Sequence, residues 1–214
     1  MKLIVNQILK LIIFFWHCLY SYKISLIKRK LGDKIYSFWI GNNIRVLGKN
    51  SLIMKDCYLL GGKHIEIGNN SCIARHGVVT CWDNYMGELF KPTIKIGDNC
   101  SIGEYCHITS INSIIIGNGV LTGRRVTISD NSHGNSSLEE TNILPSKRKL
   151  YSKGPVIIED NVWIGDKVTI LAGVRIGANA IIGANSVVTK DVPTCCVVAG
   201  NSAKIIKQIK KYDD

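Results

Sequence analysis

Of five histidines in the chain, one stands where base chemistry could be done. His133 closes the run GRRVTISDNSHG over 123–134, at the point where a regular repeat gives way to a long irregular stretch. An imidazole titrates near neutrality, so it can take the proton of an attacking hydroxyl and return it to a leaving group. On residue type alone, His133 fits a surface histidine bonded to backbone equally well. His107 falls just past an aliphatic repeat position, where it could line a subunit interface. His64 and His76 lie in early repeats and His17 in an apolar segment, as structural residues. No histidine pair has the spacing of a shared metal site, so no metal is expected.

The elements that must hold His133 are announced by a period of six. Ile158, Ile164, Ile170, Ile176, Ile182 and Val188 recur at that spacing, with Val162, Val168, Val174, Ala180, Ser186 and Val192 four places after each. Six is neither a helical nor an alternating period, and a short fixed repeat is the mark of a hexapeptide solenoid. Each unit supplies a short strand and a corner, the aliphatic points inward, and a small residue fills the tight corner. Gly, Asn and Asp at the corners tolerate left-handed backbone. Three units make one triangular coil, and no coil is stable without its neighbour. The expected fold is all-β, a parallel β-helix over residues 35–200.

Repeats start weakly at 44–60 and sharpen at Ile65. They break over 80–93 and return with Ile96, Ile102 and Ile108. The phase slips by two near Ile114, and the repeats then break again over 130–155. Insertions leaving a solenoid at a corner cost little and stand off its surface, so these two loops are the expected places for specificity. Residues 1–34 read as an apolar, basic helical segment. Its clean apolar run is too short to span a bilayer, and basic residues rather than a small-residue cleavage site follow it. It can cap the open end of the solenoid or lie on a cytoplasmic leaflet as a peripheral membrane contact; the two are compatible. Residues 201–214, with Ile205, Ile206 and Ile209 among Lys204, Lys207, Lys210 and Lys211, suggest a short basic helix.

The chain has 214 residues, a formal charge of +11 and 7% aromatics. That suits one solenoid with a narrow aliphatic interior. The cationic ends could meet lipid or phosphate. Nucleic acid is disfavoured, because no series of base-stacking aromatics accompanies the charge. Of eight cysteines, Cys100 and Cys106 occupy the small-residue corner positions and no CxxC occurs. Buried free thiols in a reducing cytoplasm are therefore expected rather than disulfides.

The ordered series GRRVTISDNSHG, then VWIG over 162–165, VVTKDVP over 187–193 and AGNSAK over 199–204 resembles the hexapeptide-repeat O-acetyltransferases. That group holds the maltose, galactoside and nodulation-factor enzymes and many capsule or O-antigen modifying enzymes. The likeness covers roughly residues 65–207 and is specific as a series, though not as any single hexad. It implies a left-handed β-helix, a homotrimer with sites between subunits, acetyl-CoA as co-substrate, and His133 as catalytic base. It places coenzyme A beside the later coils, near Trp163, Asp166, Ala184, Thr189 and Lys190, with Lys204 and Lys207 meeting phosphates. Asp130 or a carbonyl would orient the imidazole, and a backbone N–H would receive the oxyanion.

Three departures leave the acceptor open. An acceptor-binding asparagine upstream of the histidine is replaced by Gly103-Glu104-Tyr105-Cys106, the asparagine-proline near the end reads Asn201-Ser202, and the usual N-terminal segment gives way to the apolar helix. Asp83, Tyr85, Glu104, Arg124 and Arg125 are the candidate acceptor contacts. The acceptor is expected to be a sugar or lipid-linked glycan. An amino-sugar nucleotide and a non-enzymatic scaffold are the alternatives. Ice binding would need regular threonine rows on a flat face, which the chain lacks.

Overall fold

A computed structural model describes residues 2–135 and 137–209. Strands visit three parallel sheets in rotation, so the chain winds a three-sided prism. The first two coils are formed by Val46–Leu47, Leu52–Ile53 and Tyr58–Leu60, then Ile65–Ile67, Cys72–Ile73 and Val78–Cys81. Coils three and four follow as Thr93–Ile96, Ser101–Ile102 and His107–Ser110, then Ser113–Ile116, Leu121–Thr122 and Thr127–Ser129. The last two are Val156–Ile158, Trp163–Ile164 and Thr169–Ile170, then Arg175–Ile176, Ile181–Ile182 and Val187–Val188. The three faces are called A, B and C in that order of visit.

The interior is a ladder of branched side chains. On face A, Ile67, Ile96, Ile116, Ile158 and Ile176 lie above one another, and on face C, Val79, Ile108, Ile128, Ile170 and Val188, all at most 3% exposed. Each buried aliphatic is worth roughly 1.5–3 kcal/mol of transfer free energy. The small residue four places on is buried as expected, including Cys100, Cys106 and Ser186. The phase slip at Ile114 is absorbed by a longer strand, Ser113–Ile116, which buries both Ile114 and Ile116.

Asn50, Asn70, Asn99, Asn161 and Asn179 take the left-handed conformation between faces A and B. Between B and C the same conformation falls on Asp56, His76, Tyr105, Arg125, Lys167 and Asn185, with φ between 57° and 67°. Three of these side chains stack: the His76 and Tyr105 rings lie 4.7 Å apart and nearly parallel, with the Arg125 guanidinium 5.6 Å from the Tyr105 ring centre.

The ends depart from expectation. The N-terminal segment is two helices, α1 (Lys2–Leu19) and α2 (Tyr22–Gly41), so helix extends past residue 34 and the first strand begins at Val46. Helix α2 is the cap. The first coil has no preceding strand to accept its face B amides, so Ser37 Oγ takes the Ile53 N–H at 2.9 Å and Asp33 Oδ1 the Lys55 N–H at 3.1 Å. Asp33 also pairs with Arg75 at 2.8 Å, and Ile40 enters the core. Helix α1 buries nothing. At the other end the expected helix is instead a strand, Lys204–Gln208, running antiparallel on Cys196–Ala199. A turn at 200–203 folds the tail back onto the open edge of face B, whose unpaired backbone groups outweigh a weak helical pattern. Lys210 and Lys211 lie outside the described residues.

Candidate active site

Both interruptions of the repeat leave the prism at one edge. The first lies between face C of coil two and face A of coil three, the second between face C of coil four and face A of coil five. The first folds as a hairpin, Asn84–Tyr85 against Glu88–Leu89. The second begins and ends in an antiparallel pair, Ser132–His133 against Leu150–Tyr151. Two contacts join them: Lys149 forms an ion pair with Glu88, and the Tyr85 ring meets the His133 ring edge-on, centres 5.7 Å apart. Trp82 also meets the Tyr85 ring edge-on, centres 6.0 Å apart. Asp83, next to these aromatics, bonds Lys63 at 2.7 Å and His64 Nε2 at 3.3 Å, and these bonds hold its carboxyl below the usual carboxylate range.

His133 is thus an exposed imidazole on a braced loop, with an aromatic wall beside it. Such a group can accept a proton from a hydroxyl lying over the Tyr85 ring. Asp130 does not orient it. That carboxylate is fully buried and accepts from Ser110 Oγ at 2.6 Å, Ile111 N–H at 2.9 Å and Asn112 N–H at 3.0 Å. It therefore fastens the corner between coils three and four, lying between the two insertions. The partners are the hydroxyl that ends the strand His107–Ser110 and the next two backbone amides, a pairing with no signal in sequence.

Glu104, Arg124 and Arg125 sit on the edge between faces B and C, apart from the edge that carries His133. Glu104 pairs there with Arg124 at 3.4 Å and with Arg29 of α2 at 3.8 Å. The five acceptor candidates therefore split into two groups, and only Asp83 and Tyr85 accompany His133.

The residues expected to hold the co-substrate are likewise spread. Trp163 points outward from face B, and the sheet register runs from it through Ile181 and Val197 to Lys207. This row offers an apolar track ending in a cation, with Lys204 along the same last strand. It fits a ligand with an apolar arm and phosphate groups. Ile181 went unnoticed in the sequence, although its signal was there: it follows Trp163 by three hexads, one full coil. Asp166 and Ala184 lie on the edge beside face B. Asp166 Oδ1 accepts the Arg124 N–H at 2.7 Å, so the carboxylate is already used in stacking coils. Ala184 packs its backbone against Gly165, where an added Cβ would meet Ala184 N at 2.6 Å. Thr189 and Lys190 are separated from that row by face C. Thr189 Oγ1 is 2.8 Å from Ser202 Oγ and fastens the closing turn. Among the described residues, no group of three His, Cys, Asp or Glu side chains could hold a metal ion.

The thiols are free, and Cys57, Cys81, Cys100, Cys106 and Cys196 are buried. Burial pushes Cys57 up to about 11 and both Cys81 and Cys106 up to about 12. They are inert packing groups rather than nucleophiles.

Comparison with known proteins bears on the repeat and the fold. The family described as bacterial transferase hexapeptide (six repeats) matches residues 155–190, and the hexapeptide repeat of succinyl-transferase matches 93–129. The chain is 36% identical over 169 residues to WbbJ of Escherichia coli (strain K12), a protein named for an O-acetyl transferase role in lipopolysaccharide biosynthesis; the match spans 77% of this chain and 82% of that one. Among solved structures, the Vibrio cholerae hexapeptide-repeat acetyltransferase VCA0836, complexed with acetyl coenzyme A, is 26% identical with a TM-score of 0.56, covering 89% of this chain and 91% of that one. AntD, an N-acyltransferase from Bacillus cereus in complex with dTDP and 3-hydroxybutyryl-CoA, shares the fold at 22% identity and a TM-score of 0.68, covering 82% and 88%.

Proposed function

Because the chain belongs to the hexapeptide-repeat family of bacterial acyltransferases, we propose that it transfers an acetyl group from acetyl-CoA to a sugar hydroxyl of a glycan or glycan precursor. His133 is the general base. The observation that carries the reading is the meeting of both insertions at His133, with Tyr85 against the imidazole and Lys149 bound to Glu88. A scaffold needs no such braced imidazole.

The hydroxyl is bound over Tyr85, and His133 takes its proton as the oxygen attacks the thioester carbonyl. The C–S bond breaks and the imidazolium returns that proton to the departing sulfur. The coenzyme lies along the Trp163 row, with Lys207 and Lys204 on its phosphates. In one chain that row and His133 belong to different parts of the prism. Three left-handed prisms packed side by side, sharing sites at their seams, would unite them. Free buried thiols suit a reducing cytoplasm, where acetyl-CoA is available.

The fold shared with AntD keeps an amino-sugar nucleotide as the second reading. Assaying hydroxyl sugars and amino sugars with acetyl-CoA, for native protein and His133→Ala, tests both. O-acetyl product that disappears in the variant supports the first; N-acetyl product alone replaces it with the second. Product formed equally by the variant removes His133 from the chemistry.

A further inference from the structure

From the N-terminal helices we infer a docking surface for an anionic lipid bilayer, an inference independent of the acyl-transfer reading. The two helices present apolar surface that nothing in the fold covers. Successive helical residues turn by about 100°, so the side of α2 opposite its buried Asp33, Ser37 and Ile40 carries Ile27, Leu31, Ile35 and Phe38. All four are exposed, Phe38 at 76%. This outward stripe is rimmed on one flank by Lys23, Lys30 and Lys34 and on the other by Lys28. A helix that only capped the solenoid would turn a polar side to water.

Helix α1 repeats the pattern and buries none of its residues. Lys2, Asn6, Lys10 and His17 fall on one side with Gln7 on its flank, and the rest of its surface is built from Leu, Ile, Val, Phe and Trp with Cys18. At 18 residues it is about 27 Å long, but its polar stripe suits a helix lying in the interface, apolar side down, rather than one crossing the bilayer. Where the α2 stripe ends, an open hollow of about 1030 Å³ is lined by Phe38, Leu47 and Leu52 with Lys34 and Lys49, cations beside an apolar wall as a lipid headgroup requires.

Charge decides between lipid and a second copy of the same helices. Through residue 34 the only acidic residue is Asp33, and it is buried against Arg75. Two such lysine-rimmed stripes would repel each other, whereas an anionic leaflet attracts both helices. Docking would hold the prism at the membrane surface.

The test is flotation of the full chain with vesicles of phosphatidylcholine mixed with phosphatidylglycerol, against phosphatidylcholine alone. Recovery should be at least about ten-fold higher on the anionic vesicles and should fall at high salt. The double variant Leu31→Glu, Ile35→Glu should lose it while keeping the native melting temperature, since both side chains point away from the fold. Alkaline carbonate should release the bound protein. Equal recovery on both vesicles, recovery on neither, an unaffected double variant or resistance to carbonate would each overturn the inference. If the double variant instead loses only a lipid-free oligomer seen by sedimentation, the stripe serves a second copy.

Discussion

Tyr85 and His133 lie 48 positions apart in the chain, yet their rings meet edge to face with centres 5.7 Å apart. Each belongs to a different insertion, two coils apart, and the contact exists because both insertions leave the prism at the same edge. An aromatic face beside a base is a surface on which a sugar ring can rest with its hydroxyl toward the imidazole.

Replacing Tyr85 with Ala should therefore raise the acceptor KM about five-fold while leaving kcat and acetyl-CoA affinity little changed, because one stacking contact is worth about 1 kcal/mol. Tyr85→Phe should stay near native if the ring is what matters. Steady-state kinetics with each substrate varied in turn separates the cases. A drop in kcat with no change in KM would move Tyr85 from holding the acceptor to supporting His133.

The His133→Ala variant should lose about 10²–10⁴-fold in kcat with an unchanged melting temperature, since the side chain is exposed and packs no core. Single-turnover rates and thermal unfolding of both proteins are the measurements, and a variant that keeps the native rate removes His133 from the chemistry.

Asp130 should matter for stability instead. Its buried carboxylate accepts from one hydroxyl, two backbone N–H groups and the Asn131 side-chain amide. Asp130→Ala strands those donors, at about 1–3 kcal/mol for each one left unsatisfied. Urea unfolding should show a fall of at least about 2 kcal/mol. If the variant unfolds with the native midpoint, the corner is not held by this residue.

The row from Trp163 to Lys207 should carry coenzyme affinity. Titration calorimetry should find acetyl-CoA binding weakened about ten-fold or more by Trp163→Ala. The exposed Lys207→Ala should cost only about two- to five-fold, and less as salt rises. Native affinity in both variants would place the coenzyme elsewhere.

The buried thiols set an alkaline limit. Cys57, Cys81 and Cys106 have their pKa raised on folding, from an unfolded value of 9.0 to about 11 or 12. A raised folded pKa means that their stabilising contribution is complete below pH 9 and is lost as pH rises toward 12. The melting temperature should be insensitive to these groups up to about pH 8 and fall steeply beyond pH 9. Conservative Cys106→Ala should blunt the fall.

What sequence alone determined is the prism, because its code is local. A branched aliphatic every sixth residue and a small residue four places on can be satisfied only by short strands turning at fixed intervals, and Ile158 to Val188 bury as that spacing requires. The position of His133 where the repeat breaks off was legible, as was the burial of Cys100 and Cys106 at their corner positions. Tertiary structure decided whatever depends on which edge a residue occupies. Counting hexads places a strand on a face, but not the partners of a carboxylate at a corner, so of the two groups expected to orient the imidazole, Asp130 or a carbonyl, Asp130 is instead tied to its corner. Glu104, Arg124 and Arg125 were grouped with Tyr85 by chemistry and separated from it by the prism. The tail carries a helical pattern yet forms a strand, because the open edge of face B supplies hydrogen-bond partners that no local pattern records. Helix α2 became the cap because Ser37 and Asp33 reach amides that would otherwise face nothing, while α1, with no such edge to satisfy, is left for another surface.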